Sequence, residues 1–287
     1  MLNIDLHCHS NMSDGVLSPA EVVARAAANG VHALALTDHD DVAGIAAAQA
    51  VAATAGLRLI PGVEISVSWG GQTVHIVGLR IDPQHPELAA GLHGIRRGRV
   101  ERARRMGDDL AQSGFAGAYA GACGYAANKQ LVGRTHFARW LVAQGHVPDM
   151  RTAFRRFLTR GNPGYVEHEW TTLENAVGWI HASGGTAVIA HPGRYAFSAR
   201  ELHLLLDAFR ALGGEGIEVI SGSHHPTEYG KFADLARAFS LKASRGTDFH
   251  APGEGADIGR LPALPHYCQP VWQSWPELAP HFSSSLA

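Results

Sequence analysis

The chain has 287 residues, 46% of them apolar, which is long enough for one large α/β domain with a full core. Charged residues make up 17% and the formal net charge is −2. A broadly basic nucleic-acid coat is therefore excluded, and any anionic substrate must be drawn in by local charge. Three widely spaced cysteines, Cys8, Cys123 and Cys268, argue against a disulfide framework and fit a reducing compartment. The N-terminus has no basic leader segment, and no apolar run reaches 18 residues, so a cytoplasmic protein without a membrane segment is expected. Nothing in the composition calls for an obligate protein partner. Lysine occurs only at Lys129, Lys231 and Lys242, so nearly every basic side chain is an arginine, the residue suited to bidentate phosphate contacts.

Ile4–Ser10 reads as a buried strand. Ser18, Pro19 and Glu21 form a helix start, with Ser18 as N-cap, proline at the first helical position and Glu21 closing a capping box. Gly30 ends that helix. Ala33–Thr37 is a second strand, Val42–Ala55 an alanine-rich helix capped by Asp40 or Asp41, and Leu57–Ile65 a third strand. Gly70-Gly71 reads as a hairpin turn into Thr73–Leu79.

The alternation breaks near Pro83. From Pro86 to about Gly161 the periodicity is helical throughout. One of these helices carries Arg96, Arg97, Arg99, Arg102, Arg104 and Arg105, and the plain reading of that cluster is a solvated helix face. Alternation resumes with strand Gly164–Val166, helix Leu173–Ser183, strand Thr186–Ala190, helix Ala199–Leu212, strand Gly216–Ile220, helix Thr227–Phe239 and strand Ala243–Thr247. Tyr267–Trp272 reads as a closing strand. Six or seven β/α units favour a barrel over an open sheet. The predicted organisation is a barrel built from residues 1–85 and 162–287, with residues 86–161 inserted as a helical cap.

Metal-type side chains recur at the ends of these strands. His7 and His9 are two apart, so they share one face where the first strand opens onto its C-terminal rim. Asp14 follows in the loop. His39 ends the second strand in Thr37-Asp38-His39-Asp40, Glu64 ends the third, and His75 lies inside the fourth. A carboxylate within an apolar strand is costly unless paired or metal-bound. His191 follows the apolar run 187–190, and Asp248 and His250 repeat the two-apart spacing near the C-terminus. Six imidazoles and three carboxylates are too many for one ion.

The order and spacing of these motifs over about 1–80 and 164–262 resemble the polymerase and histidinol phosphatase (PHP) family. They run His-x-His-Ser, Thr-Asp-His-Asp, Gly-Val-Glu, a strand histidine, Ala-His-Pro-Gly-Arg and Asp-Phe-His. The resemblance implies a distorted (β/α)7 barrel with a helical insertion and a trinuclear centre loaded with Mn, Fe, Zn or Mg, manganese foremost. It implies that His7, His9, Glu64 and Asp248 hold one metal, that a bridging Glu64 holds a second with His75 and His191, and that Asp14, His39 and His250 hold a third. The attacking hydroxide would then be held among Glu64, His75, His191 and Asp248. Asp38 and Asp40 are candidate acceptors for the outer N–H groups of ligating histidines.

Residues 133–138, Gly-Arg-Thr-His-Phe-Ala, resemble a Gly-Arg-Pro-His-Phe run in the subset that dephosphorylates 3′,5′-nucleoside bisphosphates, relatives of which trim short RNA from the 5′ end. Here Thr135 stands where proline is usual, and the plain alternative is a helix start capped by Thr135. Arg134 and His136 are the leading substrate residues, with Arg194, Arg160 and His224 (and its neighbour His225) as further candidates. The implied substrate is a nucleoside 3′,5′-bisphosphate or short RNA. Competing readings are a histidinol-phosphate phosphatase, an amidohydrolase-type barrel needing a strand lysine, and a metal-stabilised nucleic-acid-binding module.

Overall fold

The computed structural model describes residues 2–278. Among these, β1 (Ile4–Asp5), β2 (Ala33–Leu36), β3 (Arg58–Trp69), β4 (Gln72–Leu79), β5 (Thr186–Ile189), β6 (Gly216–Ser221) and β7 (Lys242–Gly246) form one sheet in sequence order. All pairings are parallel except those of β4, which is antiparallel to both β3 and β5. The ends of the sheet meet. Leu6 N donates to Arg245 O at 3.0 Å, Asp248 N to His7 O at 2.8 Å, and His9 N to Phe249 O at 2.9 Å. A nearly closed, distorted barrel results. Gly246 permits that closure, because a Cβ there would lie 2.2 Å from the Cβ of His7.

Helices α1 (Pro19–Ala28), α2 (Ile45–Ala55), α7 (Leu173–Ala182), α8 (Ala199–Ala211) and α9 (Tyr229–Ala238) cover the outside. The first begins as its sequence dictates, with Ser18 and Glu21 closing a capping box behind Pro19. Strand period separates two apolar layers. Ala33, Ile60, Val77 and Val188 point into the barrel, while Leu34, Leu59, Ile76 and Ile189 pack outward against the helices. In the first strand the period slips. Leu6 joins the interior and Cys8 the outer layer, so one residue of phase is lost between them, and regular pairing stops at Asp5 rather than Ser10. The slip brings both His7 and His9 over the barrel mouth.

The segment between β4 and β5 is largely helical: α3 (Pro86–Gln112), α4 (Ala118–Gly124), α5 (Arg134–Ala143) and α6 (Met150–Ala153), the last running into a π-helical turn at Phe154–Leu158. Its own core draws on Ala103, Met106, Leu110, Phe137, Trp140 and Leu141. The first turns of α3, through Leu88, Leu92 and Ile95, instead pack on the barrel layer. One long helix thus roots the cap in the barrel.

Two expected strands are absent from the described residues. Gly164–Val166, held between Pro163 and the cap, runs as irregular chain, and the segment pairs only through an isolated bridge of Thr171 to Val67. Tyr267–Trp272 reduces to a single bridge of Pro270 to Ala243. Pro265 and Pro270 remove ladder donors, and the chain turns under the barrel, where Val271, Trp272 and Trp275 plug the end opposite the histidines. No helix among the described residues is long and apolar enough to cross a membrane.

Candidate metal centre and its pocket

His7, His9, His39, Glu64, His191 and Asp248 converge at the barrel mouth, and the loop residues Asp14 and His250 close over them. His75 arrives from the opposite direction. Because β4 is antiparallel, a residue early in that strand, paired with Ser66, reaches the rim where the other strands end. His191 (φ 26°) and Asp248 (φ 53°) sit in left-handed backbone conformations that a non-glycine residue seldom adopts. Asp40 (φ 49°), next to His39, is a third such residue, and two others, Arg80 and Ser240, lie away from the cluster.

The donor atoms are spaced as ligands of a metal. A tetrahedral ion with bonds of about 2.0–2.1 Å requires donor–donor edges of about 3.3–3.4 Å. His7 Nε2 lies 3.1 Å from His9 Nε2, 3.4 Å from Glu64 Oε2 and 3.6 Å from Asp248 Oδ1. His9 Nε2 lies 3.3 Å and 3.2 Å from the same two oxygens. The other Glu64 oxygen, Oε1, faces His75 Nδ1 at 2.8 Å and His191 Nε2 at 2.9 Å. Asp14 Oδ1 lies 3.1 Å from His250 Nε2 and 3.8 Å from His39 Nε2. His39 Nδ1 approaches Glu64 Oε2 at 2.8 Å. Asp14 Oδ1, Glu64 Oε2 and Asp248 Oδ1 are buried, and none receives a well-aligned hydrogen bond from the imidazole nitrogens that face it, a costly state unless a cation satisfies them. The chemistry of the donor set and its orphaned oxygens fit divalent metals.

Electrostatics agree. Burial, followed by the neighbouring His250 and His39, lowers His9 to about 3, and burial lowers His75 to about 4, so both present lone pairs at neutral pH. Burial works against ionisation of Glu64 and Asp248, but the surrounding imidazoles outweigh it and hold both carboxyls well below the usual range.

The acceptors behind the histidines are not Asp38 and Asp40. Asp38 accepts from Ser10 N, Ser10 Oγ and Ser13 Oγ at 2.8, 2.7 and 2.6 Å, and so pins the loop that delivers Asp14. Asp40 accepts from Ser66 N at 2.7 Å and Arg99 Nε at 2.6 Å. Nor does Asp40 or Asp41 cap α2 as expected. That helix starts at Ile45 behind Gly44, and Asp41 instead accepts from Ala43 N at 2.8 Å. The acceptor that matters is Glu218 on β6, whose Oε1 takes His7 Nδ1 at 2.7 Å and whose Oε2 takes His191 N at 2.7 Å. A carboxylate inside the apolar run Gly-Ile-Glu-Val-Ile is the signal that could have found it, the same one that marks Glu64.

Above the cluster lies a pocket shared between barrel and cap. Arg99, Arg102, Arg134 and Arg194 line it together with Tyr165 and Trp170. The solvated-face expectation therefore fails for part of the arginine cluster. Arg102 is buried and donates Nε to Val166 O at 3.0 Å, and the guanidiniums of Arg99 and Arg102 lie 4.7 and 5.6 Å from the Trp170 ring centre. Arg97, Arg104 and Arg105 remain exposed as expected. Burial, then the like charges of Arg134 and Arg99, lowers Arg102 to about 9. Four guanidiniums gathered beside one metal-type cluster make the pocket locally positive.

Among the expected substrate residues, Arg134 and Arg194 reach this pocket, and Arg194 Nη1 also donates to Asp248 Oδ2 at 2.9 Å. His136 does not: it is buried, and its Nδ1 accepts from Gly133 N at 3.1 Å, where it caps α5. Arg160 is an exposed surface residue paired with Glu167. His224 is buried against Phe232 and accepts from Gly193 N at 3.1 Å, and His225 caps a turn with Thr227. Thr135 is not the cap of α5, which begins behind Gly133; its hydroxyl donates to Asp14 Oδ2 at 2.9 Å. None of the three lysines lies in the pocket or the cluster, which removes the amidohydrolase-type arrangement.

Residues 5–187 match the family model described as the PHP domain. The chain is 56% identical over 274 residues to a 3′,5′-nucleoside bisphosphate phosphatase of Chromobacterium violaceum, covering 95% of this chain and 96% of that one. It is 42% identical over 271 residues to a 5′-3′ exoribonuclease of Haemophilus influenzae, covering 94% and 98%. A solved structure from Bifidobacterium adolescentis, classed with the metal-dependent phosphoesterases, superposes with a TM-score of 0.82 at 27% identity over 90% of this chain and 91% of that one.

Proposed function

The chain belongs to the PHP family of metal-dependent phosphoesterases, and from that premise we propose that it removes the 3′-phosphate of nucleoside 3′,5′-bisphosphates, converting adenosine 3′,5′-bisphosphate to AMP, and that it also trims short RNA from the 5′ end. The observation that carries this reading is the convergence of Arg99, Arg102, Arg134 and Arg194 in the pocket whose floor is the metal cluster. A substrate with two phosphates needs one at the metals and a second held at a fixed distance. Arg134, at the first position of α5, lines that pocket and would hold the second phosphate.

In this reading three ions would be held, one by His7, His9, Glu64 and Asp248, a second by Glu64, His75 and His191, and a third by Asp14, His39 and His250. Manganese is the ion we favour; mixed imidazole and carboxylate donors admit it alongside iron and zinc. Bound divalent ions supply Lewis acidity toward a phosphoryl oxygen and activate water at neutral pH. The protein's part is orientation. Glu218 fixes the ring of His7 and the backbone of His191. Asp38 fixes the loop before Asp14. Arg194 lies beside Asp248 and can face a phosphoryl oxygen. Residues 86–161 form the cap that encloses the nucleoside portion, with Trp170 offering a face for stacking. Three unpaired cysteines support a cytoplasmic setting.

The experiment is a two-substrate comparison with manganese-loaded protein. Phosphate release from adenosine 3′,5′-bisphosphate at a kcat/KM far above that for histidinol phosphate supports the assignment, and the reverse order overturns it.

A further inference from the structure

The metal pocket is bordered by Trp170. His168 and Trp170 line it, and both also line a groove on the outer side of α3, walled by Gly94 and Gly98 and reaching Trp179. The same two glycines wall a neighbouring stretch with Arg96, Arg97, Arg104 and Gln130. The groove therefore lies between the metal pocket, with which it shares His168 and Trp170, and a basic strip, with which it shares Gly94 and Gly98. The glycines make it concave. A Cβ at Gly98 would lie 2.9 Å from His168, and beside Gly94 there is open space. Arg97 and Arg104 are exposed and form no ion pair among the described residues. Glu101 is the one carboxylate lining the basic stretch.

We propose that this groove carries the 3′ continuation of a short single-stranded RNA whose 5′ nucleotide occupies the metal pocket, an inference that rests on the phosphoesterase reading above. The chemistry requires such an exit. In a nucleoside 3′,5′-bisphosphate the 3′-phosphate ends the molecule. In an RNA the same phosphorus carries a further ester to the next ribose. Hydroxide derived from water adds to that phosphorus, the bond to the 3′ oxygen breaks, and that oxygen takes up a proton and departs with a nucleoside 5′-monophosphate. The remaining RNA keeps the phosphate on its 5′ oxygen and is again a substrate. Its downstream nucleotides must leave the pocket through a gap in the wall. Aromatic faces followed by unpaired guanidiniums suit bases and backbone without regard to sequence, and the net charge of −2 confines this attraction to the strip.

The test uses the full manganese-loaded chain, adenosine 3′,5′-bisphosphate, and 5′-phosphorylated RNAs of increasing length from the dinucleotide upward. Two variants lie outside the catalytic pocket: the double variant Arg97→Glu/Arg104→Glu, which reverses the strip's charge, and Gly94→Phe, which fills the groove without changing charge. In the native chain KM is expected to fall with length over the first few nucleotides. Both variants should lose that fall, with KM for the longer RNAs about tenfold higher, while kcat/KM for the bisphosphate stays unchanged. A native KM independent of length, or a length dependence that survives in both variants, overturns the proposal. Failure of the native chain to turn over the bisphosphate while it degrades RNA would count against the bisphosphate assignment alone.

Discussion

The Thr135 hydroxyl donates to Asp14 Oδ2 at 2.9 Å, which ties the first turn of a cap helix to a residue of the metal cluster. The other Asp14 oxygen is left facing His250 and His39. A hydrogen bond to a carboxylate contributes about 1.5–3 kcal/mol. Thr135→Ala should therefore weaken metal retention at the Asp14 position by about tenfold or more, read as metal content after dialysis against a weak chelator. Thr135→Ser should restore it. Unchanged metal content in Thr135→Ala would mean that Asp14 is held without help from the cap.

Glu218 should matter nearly as much as a ligand. It is buried and serves both His7 Nδ1 and the strained backbone of His191. Losing the group behind a ligating histidine typically costs about 10–100-fold in metal affinity or activity. Glu218→Gln is expected to fall in that range while the fold persists, checked by metal titration alongside circular dichroism. Full metal affinity in this variant would reduce Glu218 to packing.

The metal centre was legible because its residues break a rule the sequence itself displays. His7, His191 and Asp248 are polar groups at the ends of apolar strands, while Glu64 lies inside β3, which runs on past the expected end at Ile65 to Trp69. The barrel brings these positions together. Glu218 breaks the same rule and could have been read the same way. The substrate pocket was much less legible. Arg99 and Arg102 lie on a helix whose polar residues run round most of its surface, so period alone cannot say which of them a neighbouring element covers. Trp170, which covers them, sits in irregular chain with no period at all. The phase slip between Leu6 and Cys8 depends on how β7 meets β1, a contact across most of the sequence. His136 and His224 were plausible substrate-binding side chains, but a ring nitrogen of each accepts from a backbone amide, Gly133 N and Gly193 N.

Arg134→Ala should separate recognition from chemistry. The guanidinium lines the pocket but touches no residue of the metal cluster among the described hydrogen bonds and ion pairs. Losing one charge-assisted contact of about 1.5–3 kcal/mol predicts a KM for the bisphosphate raised about 10–100-fold, with full metal content. His7→Ala should instead lose metal and turnover together. A similar kcat loss in both variants would contradict the division.

Metal loading should depend on pH in a defined direction. Burial disfavours the charged form of His250, but the Asp14 and Asp248 carboxylates outweigh it and raise the metal-free imidazole to about 9. Below that pH an incoming ion must displace a proton, and above it none is lost from this residue. Affinity at the Asp14 position is therefore expected to tighten by about tenfold per pH unit between pH 7 and 8, with proton release seen by calorimetry in buffers of different ionisation enthalpy. A flat pH dependence over this interval would show that His250 is neutral before metal binds.

The central claim is metal-dependent hydrolysis at the 3′-phosphate, and isotope placement tests it most directly. Adenosine 3′,5′-bisphosphate is incubated in ¹⁸O-labelled water with manganese-loaded protein and, in parallel, with chelated protein, and products are followed by phosphorus NMR and mass spectrometry. Unlabelled AMP with one ¹⁸O in the released phosphate, and no reaction after chelation, is the predicted result. Adenosine 3′-monophosphate as product, or an intact bisphosphate at full metal occupancy, would contradict it.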